Sequence, residues 1–123
     1  MIGKICSFIT PYYDSVTKRN SFKSRPVLII GVPDAGDYNV LPISRVTNQL
    51  NLDPNYDFPI DPNNYQLLNL TSKSYVRIHK QLFVHNSAIG KVICDMKADY
   101  PDLFLAVLAK LEEYNVNLIN DAL

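Results

Sequence analysis

Five polar side chains stand at the ends of apolar runs, where they could act on a phosphodiester. Arg25 precedes Pro26 and the aliphatic run "VLII", Ser44 closes "LPIS" and is followed by Arg45, and Arg77 and His79 lie two residues apart in "SYVRIH". Guanidinium, hydroxyl and imidazole are the groups that metal-free phosphodiester chemistry uses. A guanidinium offers five donors in a planar fork that matches phosphate oxygens, a hydroxyl can donate to the same group, and an imidazole can take up a proton near neutral pH. A proline pushes the residue before it toward extended backbone and is tolerated best at the first position of a strand. Arg25 is therefore expected at the mouth of a buried strand, mounted with little positional slack. The alternative for Arg25 is a surface pair with an aspartate of the middle segment, and for Ser44 an ordinary turn or capping role; the residue types leave these open. His85 in "VHNS" reads as structural.

The elements that must position these groups are mostly strands. "KICSFI" reads as a strand that Pro11 ends, and residues 12–24 show no apolar periodicity, which predicts a long polar loop. "PVLIIGV" is a continuous apolar run bounded by turn residues, the pattern of a central strand covered on both faces. "PDAGDY" supplies turn chemistry and "YNVLPIS" the returning strand of a hairpin. Prolines 54, 59 and 62 leave room only for a short edge strand at Phe58 to Ile60. "SYVRIHKQLFV" reads as one alternating strand with Tyr75, Arg77, His79 and Gln81 on one face, and "KVICDM" as another strand. A helix is predicted from "DYPDLF", with Pro101 at its first position, Asp102 in its first turn and an apolar stripe of Phe104, Val107, Leu108 and Leu111.

The chain has 123 residues, 47 % of them apolar, enough for one compact mainly β domain with a terminal helix. No apolar run approaches the roughly 20 residues of a membrane helix, and the N-terminal apolar stretch is too short for a signal peptide, which predicts a cytoplasmic protein. Cys6 and Cys94 form no paired motif and read as two buried free thiols; with two histidines far apart, no metal site is expected. The net charge is zero, yet the charge is segregated. Residues 1–30 carry five cations against Asp14 alone and residues 63–98 five against Asp95 alone, while the two intervening and terminal stretches each carry five acids against one cation. Two basic stretches on one face would form the positive field a phosphate backbone seeks; the alternative is ordinary solvated surface charge.

The ordered set "IGKICSFITP", a polar loop, "RPVLII", "LPIS", "YVRIHK" and a terminal helix resembles the MazF/PemK group of toxin endoribonucleases from bacterial toxin–antitoxin pairs. The resemblance spans roughly residues 2–114 and implies an SH3-like barrel of five to seven short strands with a C-terminal helix. It also implies a homodimer that needs no cofactor, cuts single-stranded RNA at short sequences and is neutralised by a small antitoxin. On this resemblance Arg25 takes the place of the catalytic arginine, Ser44 that of the catalytic threonine, and Arg77 that of an arginine near the substrate phosphates. Lys4 stands where the group usually has aspartate, and residues 12–24 lack the usual glycine and Glu-Gln pair.

In such chemistry the ribose 2′-hydroxyl is an internal nucleophile, so the protein must hold the phosphate in line and stabilise its added charge. The products are a 2′,3′-cyclic phosphate and a 5′-hydroxyl. Arg25 is assigned to the phosphate oxygens or the leaving group and Ser44 to a hydrogen bond on the same phosphoryl centre. An arginine is a poor base, so His79 is assigned that role. Lys18, Arg19, Lys23, Arg45 and Arg77 are expected to contact substrate, with Tyr12 and Tyr13 stacking on unpaired bases; the alternative for the tyrosines is to cover the barrel end. The rival function is a barrel that binds RNA or a protein partner without cutting, since small barrels host many functions.

Overall fold

The computed structural model describes all 123 residues. Seven strands, β1 (Lys4–Asp14), β2 (Arg19–Asp34), β3 (Asp37–Ser44), β4 (Asp57–Ile60), β5 (Ser74–Arg77), β6 (Leu82–His85) and β7 (Ile89–Asp95), precede a single-turn helix α1 (Met96–Asp99) and the long helix α2 (Pro101–Ala122). All pairings are antiparallel in the order β4-β5-β3-β2-β1-β7, with β6 also against β3. The sheet curls into a half-barrel, so the chain is mainly β with a C-terminal helix, as the sequence pattern predicts.

One face of the sheet carries Ile5, Leu28, Leu41, Ile43, Ile60 and Val76, and α2 closes over it with Leu103, Phe104, Val107 and Leu111. The opposite face holds a smaller group of Cys6, Val27, Ile29 and Val40. Burial on both faces explains why "VLII" is continuous where a half-exposed strand would alternate. The predicted stripe of α2 is buried except Leu108, which is half-buried, and Pro101 takes the first turn as expected.

Three expectations are corrected. Residues 12–24 are not a loop: β1 runs through Pro11 to Asp14 and β2 begins at Arg19, so the two form a long hairpin paired from Ile5↔Leu28 to Asp14↔Arg19. Pro11 does not end the ladder because β1 loses its other neighbour, β7, after Phe8↔Ile89. Its missing N–H therefore leaves no partner unsatisfied. Pro26 is likewise not at a strand start but well inside β2, tolerated because the β2–β3 ladder ends at Val27↔Pro42. Finally, "SYVRIHKQLFV" is two strands separated by a 3-10 turn at Ile78–Lys80. The Ile78 N–H still donates to the Tyr56 carbonyl at 2.9 Å, one step on from the Asp57↔Arg77 pair of β4 and β5; beyond it the backbone turns, and β5 and β6 pair with different stretches of β3.

Both cysteines are free; Cys6 is buried and Cys94 half-buried. Burial, helped by the nearby Asp99 and Asp95 charges, pushes the Cys94 thiol up to about 11, and burial also raises Cys6. Between the ordinary thiol value of 9.0 and about 11 the unfolded chain has released a proton that the folded chain keeps. The unfolded state then binds fewer protons, so stability falls as pH rises through that window. Melting curves are expected to show this alkaline decline, and Cys94→Ala to shrink it.

Candidate functional site

The site is set by where β2 and β3 part. Their ladder runs Ile29↔Val40, Leu28↔Leu41, Val27↔Pro42, and one more step of two residues on each strand sets Arg25 across from Ser44 on the same face. There the strands separate, and a recess of about 340 Å³ opens between Ser24, Arg25, Pro26, Ser44 and Arg45. Ser44 is fixed on its other side by pairing with Tyr75 of β5. Its Oγ has only a long contact of 3.5 Å to the Arg45 carbonyl, too long to hold the hydroxyl against a ligand. Neither Arg25 nor Arg45 is tied to a carboxylate. The recess thus combines two unpaired guanidinium groups and an available hydroxyl, a set suited to a phosphate group.

The hairpin extends this face. Register pairs Phe8↔Arg25, Thr10↔Lys23, Tyr12↔Ser21 and Asp14↔Arg19 share one side of the β1–β2 ribbon. Phe8, Thr10, Tyr12, Lys23 and Arg25, joined by Leu82 of β6, line a further recess of about 360 Å³. The Lys23 ammonium sits 4.5 Å from the centre of the Tyr12 ring, a cation–π contact that holds both at the recess wall. At the tip, Asp14 Oδ1 accepts from the Val16 and Thr17 N–H groups, which holds the Asp14 carboxyl below its usual range. Lys18 closes the turn in the left-handed region, φ 56°. Tyr13 does not accompany Tyr12. It points from the opposite face with Phe22, the two being 63 % and 69 % exposed, so only Tyr12 can stack beside Arg25.

Arg77 and His79 lie in another recess. Arg77 is paired across the strands with Asp57, whose carboxylate is fully buried. Arg77 Nε donates to Asp57 Oδ1 at 3.0 Å and its Nη2 to the Asn51 carbonyl at 3.2 Å, while the Asp53 N–H donates to Asp57 Oδ2 at 2.7 Å. His79 Nδ1 is buried without a hydrogen-bond partner, 4.0 Å from Asp57 Oδ1. At the rim, what burial Asp53 has raises its carboxyl, but the N–H groups of Asn55 and Tyr56, with the His79 and Arg77 charges, carry it below the usual range. This recess measures about 660 Å³ and shares no residue with the one at Arg25 and Ser44. Alternation keeps Arg77 on the same sheet face as Tyr75 and Ser44. His79 leaves that face because the backbone has turned at Ile78–Lys80.

No family model matches the chain, and no curated protein matches it. The geometry therefore carries the reading. It brings Arg25, Ser44 and Arg45 together, continues to Lys23 and Tyr12, and places Lys18 and Arg19 at the hairpin tip. It sets Arg77 and His79 apart in their own recess. The aspartate pairing open to any surface arginine is taken by Arg77, not by Arg25. Asp57, which anchors that second group, escapes a reading by motif; its one signal is a lone acid heading the short apolar strand "DFPI". His85 is structural as expected: its Nδ1 accepts from the Ser87 N–H at 3.1 Å. No helix is long and apolar enough to cross a membrane.

Proposed function

We propose that this protein is the toxin of a toxin–antitoxin pair, an endoribonuclease that cleaves single-stranded RNA through its 2′-hydroxyl. The observation that carries the reading is the convergence of Arg25 and Ser44 in one recess. It lies on the sheet face that also presents Lys23 and Tyr12. The ordered resemblance to MazF/PemK toxins supports it, and with it a homodimeric state and a small antitoxin as partner. In the proposed reaction the ribose 2′-oxygen forms a bond to phosphorus, the bond to the 5′-oxygen breaks, and that oxygen leaves as a hydroxyl. Arg25 donates to the non-bridging oxygens as negative charge builds on them, and Ser44 donates to the same group. Water in the open recess takes the 2′-proton and supplies one to the departing 5′-oxygen.

The test is end-group analysis of a single-stranded RNA incubated with purified protein and EDTA. A 2′,3′-cyclic phosphate and a 5′-hydroxyl are the expected ends; cleavage that appears only with added magnesium would sink the proposal. His79→Gln is expected to keep its cleavage rate within about twofold across pH 5 to 8, since a general base must reach the proton it removes. A variant whose rate collapses and loses its pH dependence would return the imidazole to the mechanism. One observation favours the rival reading of a barrel that binds RNA without cutting: the Arg25–Ser44 recess is lined by no carboxylate and no imidazole. Tight RNA binding with no products in the same assay would establish that rival.

A further inference from the structure

At the end of the half-barrel a smaller recess of about 220 Å³ opens beside the one at Arg25 and Ser44, sharing Pro26 and Arg45 with it. Ile5, Leu70 and Ile93 give it apolar walls, and Asn69, Thr71, Ser72 and Ser74 polar ones. That segment is held at both ends. Leu68 before it is fully buried, and the neighbouring Leu67 N–H donates to the Tyr100 hydroxyl at 3.0 Å. Ser74 after it opens β5 and donates from Oγ to the Ser72 carbonyl at 3.0 Å. Between these anchors Asn69 adopts left-handed backbone, φ 58°, a conformation asparagine tolerates better than most residues. The Ser72 hydroxyl is buried and has no hydrogen-bond partner. Native folds keep few such groups without a use.

We propose that this recess seats one unstacked nucleobase of the RNA whose phosphate lies at Arg25 and Ser44. The inference rests on the nuclease reading and adds to it the place where sequence is read. The volume equals that of about seven waters of liquid, too little for a drug-sized ligand and sufficient for one flat heterocycle. Apart from Arg45, the polar groups are uncharged. The hydroxyl of Ser72 and the amide of Asn69 can each donate and accept, and the Ser74 hydroxyl, whose hydrogen goes to the Ser72 carbonyl, accepts, which matches a base edge carrying carbonyl and amino or imino groups side by side. Ile5 and Ile93 offer an apolar surface to the ring faces. A free anion would find only Arg45 there, at the mouth.

The test uses 2′-deoxy dinucleoside monophosphates, which keep both bases and the linkage but lack the internal nucleophile. Titrated into the full chain and followed by backbone amide NMR, they are expected to shift Asn69 to Ser74 together with Arg25 and Ser44. Affinities should differ about fivefold among the four bases at the seated position, the scale of one hydrogen bond gained or lost. Ser72→Ala, checked by its melting temperature, should narrow that spread to below about twofold. Asn69→Gly, which removes the amide at an exposed position and suits the left-handed backbone, serves as the second variant should Ser72→Ala fail to fold. No shifts at Asn69 to Ser74, or a base preference untouched by both variants, would overturn the base pocket while cleavage of RNA continued. Base-dependent shifts at those residues in a protein that never cleaves RNA would leave the pocket standing and remove the nuclease.

Discussion

Arg25→Ala is expected to slow cleavage of single-stranded RNA by at least about a hundredfold, the loss that follows removal of one preorganised donor from a developing oxyanion. The guanidinium is exposed and unpaired, so the melting temperature should hardly move. That separation makes the test sharp, because a loss of activity cannot then be ascribed to unfolding. Arg25→Lys keeps the charge but not the planar fork, and should recover only a small part of the rate. Ser44→Thr keeps the hydroxyl and should retain more activity than Ser44→Ala. Measured single-turnover rates decide it: an Arg25→Ala protein that cleaves at the parent rate leaves the recess without its proposed role.

Asp57→Ala should act in the opposite way, on stability first. The Asp57 carboxylate is fully buried and accepts from Arg77 and from the Asp53 N–H, and His79 faces the same oxygens. Removing it leaves the Arg77 guanidinium and a backbone donor without their acceptor in a partly enclosed site. Breaking a buried pair from one side costs about 3 kcal/mol or more. In a domain of this size that corresponds to a fall in melting temperature of roughly 10 °C. Asp57→Asn, which keeps an acceptor oxygen but not the charge, should fall between the parent and Asp57→Ala. A melting temperature unchanged in Asp57→Ala would mean that the group around Arg77 is an ordinary solvated surface pair.

The strands of the central sheet were legible because burial on both faces writes itself as "VLII", and α2 because Phe104, Val107 and Leu111 recur at helical spacing with Pro101 at the start. The hairpin of β1 and β2 was not. Its residues are polar on the outer half, and Pro11 and Pro26 signal breaks by local rules; what overrides them is tertiary, the absence of β7 beside Pro11 and of β3 beside Pro26 on the flanking edges. The pairing of Arg25 with Ser44 was legible as residue types but not as a place, because their meeting depends on the register of a ladder formed further along the strands. His79 was misplaced for a related reason. Period-two alternation holds through Arg77, and nothing in "RIHK" marks the 3-10 turn that follows at Ile78–Lys80. The orphan hydroxyl of Ser72 and the buried Asp57 are invisible to any pattern, since burial is a property of the assembled chain.

Where β2 runs on beyond Val27 without β3, a length of strand edge is left open, the kind of feature that invites a neighbouring molecule to add its own strand. This edge is poorly suited to that. Pro26 offers no donor at the first free position, and Lys23 and Arg25 bring like charges to the next ones. Two copies meeting edge to edge there would bring the Lys23 and Arg25 cations of both into one seam. The residues that keep this rim from recruiting stray strands into aggregates are thus the same ones that leave it free for an anionic chain.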